Sequence, residues 1–265
     1  MRNARIIILA AQRAGVIDLL ASHYGISHKC LVPIAGVPLI RHVVETAATH
    51  PVTRDIIISV EPEIFDRVQS MIDALPLGLA PVHCLASADN LADSVIGAAR
   101  GHDGPIIITT ADNALLTADA LDAIANRVMT GADVAIAMAK RESVLAVHPD
   151  AQRRFYTFAD AAYSNCNLYA MAGHHALKGA EIFRGGGQFA KKAGRIIEAF
   201  GLINLLLMRS RLISLPHALA RISRRIGLTI APVILSDGRN AIDVDNELTY
   251  AIVEGLISRP LQSNH

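Results

Sequence analysis

The chain of 265 residues is poor in the features that mark several protein classes. Its three cysteines, Cys30, Cys84 and Cys166, show no C-x-x-C spacing, which argues against a disulfide framework and a structural zinc site. We therefore expect free, buried thiols and a cytoplasmic protein. No apolar run reaches the roughly 20 residues that span a bilayer. The apolar stretch 6–11 is too short for a signal peptide.

Other absences limit the ligands. The sequence has neither a G-x-G-x-x-G motif after its first predicted strand nor a Walker-type loop, which disfavours dinucleotide and P-loop binding. Aromatic residues make up 4% of the chain, and few of them are interleaved with the basic segment, so we expect no nucleic-acid partner. A hydrophobic content of 52% excludes an intrinsically disordered chain.

Charge is distributed unevenly along the chain. Residues 174–225 hold ten Lys and Arg against two Glu, a net charge of +8, which leaves −7 for the rest because the whole chain carries +1. Such asymmetry marks either a solvated helical face or an anion site. Both alternatives stay open at this point.

Strand-like and helix-like patterns alternate through the first half of the chain, which predicts a parallel α/β sheet covered by helices. The predicted strands are 5–11, 55–60, 82–86, 105–110 and 133–139. The predicted helices are 39–48, 63–74, 91–100 and 118–129, the last with Thr117 as its cap.

The pattern changes after about residue 150. Residues 154–159 and 165–171 read as two strands of a smaller antiparallel piece. The following basic segment is helical in character, and Pro216 fits the first turn of a further helix. A return strand, 228–235, precedes a closing helix. We predict one domain over 1–265, in which 150–227 forms an acceptor-side strand pair and a basic helical insertion.

In open parallel sheets, ligands bind at the carboxyl ends of the strands. Gln12 follows the first predicted strand, Asp112 and Asn113 follow the fourth, and Asp243 and Asp245 lie near the C-terminus at a predicted strand end. Residues two apart on a strand point to the same side, so these two carboxylates can share a metal ion. The alternative is that the acids only cap turns and helices.

Several motifs carry a family resemblance. The chain has Leu9-Ala10-Ala11, then K-C-L-V-P-I-A-G-V-P-L-I over 29–40, D-N-A-L-L over 112–116 and I-D-V-D over 242–245. It resembles the nucleotidyltransferases typified by the molybdenum-cofactor guanylyl- and cytidylyltransferases. The fold that this resemblance implies is a Rossmann-like, glycosyltransferase-A-type sheet, mostly parallel, with helices on both faces.

The resemblance also implies roles for individual residues. Lys29 would meet the nucleotide phosphates, Asp112 and Asp245 would hold Mg²⁺ with Asp243 as the second choice, and Ser94 would line the base pocket. The implied nucleotide-binding residues are Ala10, Ala11, Gln12, Arg13, Gly15, Lys29 and Ser94. Gln12 stands where the family has its first loop glycine, which changes how a triphosphate can be held.

On the acceptor side, Asn167 resembles the family's asparagine. Arg154 and the basic residues Lys191, Lys192 and Arg195 would suit a phosphate monoester. The predicted reaction is Mg²⁺-dependent transfer of a nucleoside monophosphate from CTP or GTP to a phosphorylated small molecule, with release of pyrophosphate.

Two other functions stay open. A glycosyltransferase of the same sheet type would use a nucleotide-sugar, although it favours a D-x-D motif where this chain has Ala111-Asp112-Asn113. A non-catalytic nucleotide-binding or membrane-peripheral protein is the other alternative, supported by Gln12. Apolar and cationic residues in 190–225 are compatible with peripheral membrane contact, with core packing or with a homodimer interface.

Overall fold

Eight of the ten strands in the described residues join one mixed sheet, and two form a small hairpin. This computed structural model describes residues 3–12, 17–76, 78–183, 207 and 210–258. The strands are β1 (Ala4–Leu9), β2 (Pro33–Ile34), β3 (Val37–Pro38), β4 (Thr53–Val60), β5 (Val82–Ala86), β6 (Ile106–Thr110), β7 (Val134–Lys140), β8 (Tyr156–Thr157), β9 (Ala162–Met171) and β10 (Ile230–Leu235).

Helices connect most of these strands. They are α1 (Leu19–His23), α2 (Leu39–Thr49), α3 (Phe65–Asp73), α4 (Leu91–Ala99), α5 (Ala118–Met129), α6 (Arg141–Val147), α7 (Leu215–Ile226) and α8 (Glu247–Ser258). Shorter 3₁₀ segments are Lys29–Leu31, Pro62–Ile64, His174–Phe183 and Gly238–Ala241. In the part of the chain that the structure describes, none of the helices has the length and apolar character needed to cross a bilayer.

The strand order is β10-β7-β9-β6-β1-β4-β5, with β8 paired to β9. Neighbours are parallel except along β9, which runs antiparallel to both β6 and β7. The predicted α/β class with a mostly parallel sheet is therefore confirmed. Parallel strands require crossover connections, and helices supply them here.

The two faces of the sheet bury alternate residues of each strand. In β1, Ile6 and Ile8 belong to the core that includes residues of α2 and α5, whereas Ile7 belongs to the core that includes residues of α4 and α7. Because side chains alternate along a strand, a run of isoleucines fills both cores at once. Because the strands of the main sheet other than β9 run in one direction, their carboxyl ends lie at the same edge of the sheet. Polar residues that follow these strands are therefore within reach of a ligand.

Local patterns predicted most elements well. Thr117 caps α5 by accepting a hydrogen bond from the Ala120 N–H, and Pro216 lies in the first turn of α7. The cysteines are free as predicted, with Cys30 and Cys166 buried; Cys84, however, is only partly buried.

Two predictions were wrong in placement. The predicted antiparallel strand pair is present, because β8 pairs antiparallel with β9, but it is not a separate piece: β9 lies inside the main sheet between β6 and β7. Strand order depends on long-range pairing that local pattern does not encode. Asp243 and Asp245 do not end a strand. They lie in a loop between the 3₁₀ segment Gly238–Ala241 and α8, so their proximity to one another arises from a loop rather than from strand alternation.

Candidate active site

The carboxyl ends of β1, β4 and β6 form the edge where the candidate residues meet. The backbone at Ala10 donates to Ser59 and that at Ala111 donates to Leu9, so the three strands stay paired up to their last residues. Lys29 reaches this edge from the 3₁₀ turn Lys29–Leu31, in which Cys30 and Leu31 are buried. The turn is thus anchored in the core, and the lysine side chain projects from it.

Lys29 joins two of the predicted carboxylates. Its Nζ lies 2.6 Å from Asp112 Oδ2 and 2.7 Å from Asp245 Oδ1. The side chains of Lys29 and Asp112 are 17% and 20% exposed, and that of Asp245 is 66% exposed. Although burial alone would lower the pKa of Lys29, the two carboxylates raise it above its ordinary value. The ammonium group is therefore held charged at neutral pH.

Asp112 is held in place from three sides. Its Oδ1 accepts a short hydrogen bond from the Thr110 hydroxyl, and its backbone carbonyl accepts from the Val244 N–H at 3.2 Å. The next residue, Asn113, is fully buried and donates to the Cys166 carbonyl on β9 at 3.1 Å. Burial would raise the pKa of Asp112, but Lys29 and the Thr110 hydrogen bond lower it below its ordinary value.

Asp243, like Asp112, is only partly exposed, whereas Asp245 is exposed. Asn167 donates to its Oδ2 at 2.7 Å, from an irregularity in β9 where Asn167 has a φ of 46°. Its Oδ1 is buried and has no hydrogen-bond partner among the described residues. Burial, together with the charges of Asp112 and Asp245, raises the pKa of Asp243 well above its usual range.

These donors have the chemistry that Mg²⁺ requires. Two of the three carboxylates, Asp112 and Asp245, contact Lys29, and their charges add to burial in raising the pKa of the third, Asp243. The unpartnered Asp243 Oδ1 provides a further free oxygen, and hard oxygen ligands suit Mg²⁺. In the described residues, no group of three or more His, Cys, Asp or Glu is already arranged as a metal cluster, and the Lys29 ammonium lies between Asp112 and Asp245.

The other predicted residues are distributed around this cluster. Ala10 is buried and Ala11 is exposed directly after β1, while Gln12 bonds to the backbone at Lys29 and Ser27. The Ser94 hydroxyl, in the first turn of α4, accepts from the Ala88 N–H of the preceding loop at 3.0 Å. Arg154 is exposed beside β8. Outside the described residues lie Arg13, Gly15, Lys191, Lys192 and Arg195.

Sequence reasoning missed three polar residues near these groups. Glu61 accepts a hydrogen bond from the Gln12 N–H at 2.6 Å, and the Thr110 hydroxyl donates to Asp112. The side-chain amide of Asn165 donates to Asn167 Oδ1 at 3.2 Å. Glu61 follows β4 directly, so the rule that polar residues after parallel strands meet at one edge would have found it. Nothing in the sequence pattern marks Asn165.

Comparison with known proteins places this geometry in context. A family model described as the MobA-like NTP transferase domain matches residues 6–224. No curated protein sequence matches the chain.

Three solved structures share the fold. A hypothetical transferase from Thermus thermophilus superposes with a TM-score of 0.73 at 20% identity, over 94% of this chain and 100% of the other. A 4-diphosphocytidyl-2C-methyl-D-erythritol synthase from Anaerococcus prevotii gives a TM-score of 0.62 at 8% identity, over 97% and 99%. A CMP:2-keto-3-deoxy-manno-octonic acid synthetase complexed with CTP gives 0.59 at 14%, over 96% and 98%.

Proposed function

The chain belongs to the MobA-like NTP transferase family and is a nucleotidyltransferase, and we propose that it transfers a nucleoside monophosphate from CTP or GTP to a phosphorylated small molecule. CTP is the first candidate because two proteins of the same fold have names that include a cytidylyl product or a bound CTP. Pyrophosphate is the second product of this reaction.

The observation that supports this proposal is the position of Lys29 between Asp112 and Asp245, at 2.6 and 2.7 Å. A triphosphate needs a cation at its oxygens, and Lys29 provides one that is held charged. The carboxylates need a counter-cation once Lys29 turns to the phosphates. Lysine and acid in one cluster thus fit the binding of a metal-nucleotide complex.

In the proposed reaction, an oxygen of the acceptor phosphate attacks the α-phosphorus of the nucleotide in line. The bond from the α-phosphorus to the bridging oxygen breaks, and pyrophosphate leaves with that electron pair. Lys29 neutralises negative charge that develops on the phosphates, and Asn167 lies beside Asp243 where the acceptor would approach. The acceptor is already an anion, so the protein needs no strong general base.

We propose that Asp112 and Asp245, with Asp243, hold Mg²⁺ when the nucleotide is bound. When bound, Mg²⁺ supplies positive charge to the phosphate oxygens and to the leaving group. The carboxylates position it, and the Thr110 hydroxyl fixes the orientation of Asp112.

Further features of the chain stay proposals. Residues 1–265 would form one nucleotidyltransferase domain, with Ser94 near the base and Arg154 and the basic residues Lys191, Lys192 and Arg195 near the acceptor. A cytoplasmic location, a homodimer and peripheral membrane contact through 190–225 also remain predictions. Most of that segment lies outside the described residues.

The test is nucleotide binding, followed as a shift of the unfolding midpoint with CTP, GTP, UTP or ATP, each with and without Mg²⁺. A ligand at about 100 times its Kd stabilises the folded state by about 2.7 kcal/mol, which moves the midpoint by several degrees. We expect a Mg²⁺-dependent shift with CTP or GTP. Asp112→Asn should weaken that binding by about a hundredfold or more, because it removes a metal carboxylate.

Asp103→Asn is the matched control for Asp112→Asn. Asp103 is exposed and precedes β6, so it lies at the opposite end of the strand that Asp112 follows. Binding should be unchanged in this variant. If no nucleotide shifts the midpoint, or if both Asn variants behave alike, this assignment of the site is wrong.

A further inference from the structure

Gln12, which stands where the resembled family has a glycine, links three segments at the carboxyl edge of the sheet. Its backbone N–H donates to Glu61 Oε1 at 2.6 Å, so the end of β1 is tied to the end of β4. Its side-chain Nε2 donates to the Ser27 carbonyl at 3.1 Å, and its Oε1 accepts from the Lys29 N–H at 3.3 Å. One residue therefore connects both strands to the turn that carries Lys29.

The Glu61 carboxylate is largely enclosed. Its side chain is 17% exposed, and Oε2 is buried without a hydrogen-bond partner among the described residues. Among the described contacts, His28 Nε2 lies 3.8 Å from that oxygen. The hydrogen bond of Oε1 to the Gln12 N–H is thus the main polar contact that retains this side chain, and a charged acceptor makes it strong.

The segment on the far side of Gln12 is also held from α3. Arg67 Nη1 donates to the Ser27 hydroxyl at 3.2 Å, and residues 30 and 31 are buried behind Lys29. The backbone from Ser27 to Lys29 is consequently fixed at both ends. The amide of Gln12 adds a third attachment to this backbone, at the Ser27 carbonyl and the Lys29 N–H.

A side-chain link of this kind has a cost for phosphate binding. The Gln12 N–H that donates to Glu61 is not available to a phosphate oxygen, and the Glu61 carboxylate would repel a triphosphate bound at this edge. The nucleotide must then depend more strongly on Lys29, whose placement becomes correspondingly important.

We propose that Glu61 and Gln12 are positioning residues that set Lys29 for the nucleotide phosphates: the Gln12 N–H donates to Glu61 Oε1, and Gln12 Oε1 accepts from the Lys29 N–H. This inference rests on the proposed function. In glycine-lined phosphate loops, the backbone itself approaches the phosphates closely. In this protein, the Glu61 carboxylate and the Gln12 amide would order the loop instead.

The experiment is a double-mutant cycle on nucleotide affinity, measured by calorimetry with CTP and GTP in Mg²⁺. Gln12→Met keeps the length of the side chain and the backbone N–H but removes both amide hydrogen bonds. In wild type it should raise Kd about tenfold. In a Lys29→Ala background it should raise Kd less than twofold, because residues that act through one another are not additive.

A second pair of variants separates geometry from charge. Glu61→Gln retains an oxygen that accepts from the Gln12 N–H and removes the negative charge, so its Kd should equal or fall below that of wild type. Glu61→Ala loses the acceptor and should raise Kd about tenfold. Circular dichroism and the unfolding midpoint establish that each variant is folded.

Three results would overturn the proposal. Equal effects of Gln12→Met in both backgrounds would show that Gln12 acts independently of Lys29. No effect of Gln12→Met in wild type would show that the link does not matter for binding, and equal weakening by Glu61→Gln and Glu61→Ala would exclude the geometric role. If wild type binds neither nucleotide, the proposed function fails and this inference fails with it, a pattern distinct from the other three.

Discussion

Replacing Lys29 with methionine tests the electrostatics of the site directly. Removing one partner of a buried ion pair costs about 3–5 kcal/mol, whereas an exposed pair contributes about 1 kcal/mol or less. Lys29 and Asp112 are 17% and 20% exposed and Asp245 is 66% exposed. We therefore expect a loss near the lower end, about 3 kcal/mol, and a Tm lower by about 6–12 °C for a chain of this size.

The loss should depend on pH through Asp112. Burial favours its neutral form, yet in wild type Lys29 lowers its pKa below the ordinary value. A carboxyl with a depressed folded pKa adds stability above its unfolded pKa of about 3.9 and loses it as the pH falls through the folded value. In the methionine variant burial acts without the cation, so Asp112 takes up its proton at a higher pH. The difference in Tm should be larger at pH 7.5 than at pH 5.

Scanning calorimetry at the two pH values is the assay, and Lys140→Met is the matched control. Lys140 lies 3.6 Å from Glu142 in a more exposed pair, for which we expect a loss of less than about 1 kcal/mol. If Lys29→Met and Lys140→Met lower Tm equally, or if the Lys29→Met difference is as large at pH 5 as at pH 7.5, the coupling of Lys29 to buried Asp112 is refuted.

Three further variants test other parts of the structure. Asp243→Asn should raise the free energy of unfolding by about 1 kcal/mol or more at pH 7.5, because the raised pKa of Asp243 means that its charged form opposes folding. The same variant should weaken Mg²⁺-dependent nucleotide binding at least tenfold. Thermal unfolding that shows the variant to be less stable than wild type would contradict this. Gly238→Ala would place a Cβ 2.2 Å from the Ser143 carbonyl oxygen and should cost about 3 kcal/mol or more. At Gly97 in α4, an added Cβ would meet nothing within 4 Å, so Gly97→Ala should increase the free energy of unfolding by about 0.5–1 kcal/mol. If urea unfolding shows that the two glycine substitutions change stability in the same direction, the packing described here is wrong.

The sequence pattern was most informative where the bounds of a helix or strand depend only on the residues within and beside it. α5 was predicted at its observed bounds, because Thr117 supplies a cap and the apolar residues share one face. The order of the strands was beyond this kind of reasoning. β9 pairs with β6 and β7 on both sides, and its buried, mixed composition does not indicate which strands will be its neighbours.

The candidate site was predictable in its residue types and less so in its contacts. Lys29, Asp112 and Asp245 were selected from a motif and from strand ends, and the structure brings them within hydrogen-bond distance. The contacts of Glu61 and Asn165 depend on how loops fold across the edge. A loop path is fixed by packing and hydrogen bonds from distant segments, which periodicity does not report.

The candidate site includes a residue that lies outside the part of the chain matched by the family model. The match ends at residue 224, whereas Asp245 lies 216 positions from Lys29 in the chain and bonds to it. The Val244 N–H donates to the Asp112 carbonyl at 3.2 Å, which holds this late segment against the end of β6. The Tyr250 hydroxyl donates to the Pro33 carbonyl at 2.8 Å, which holds α8 against β2. The acid that completes the cluster is therefore placed only when β2, the end of β6 and α8 are packed together, so nucleotide binding in this protein should report on the contacts between these distant segments.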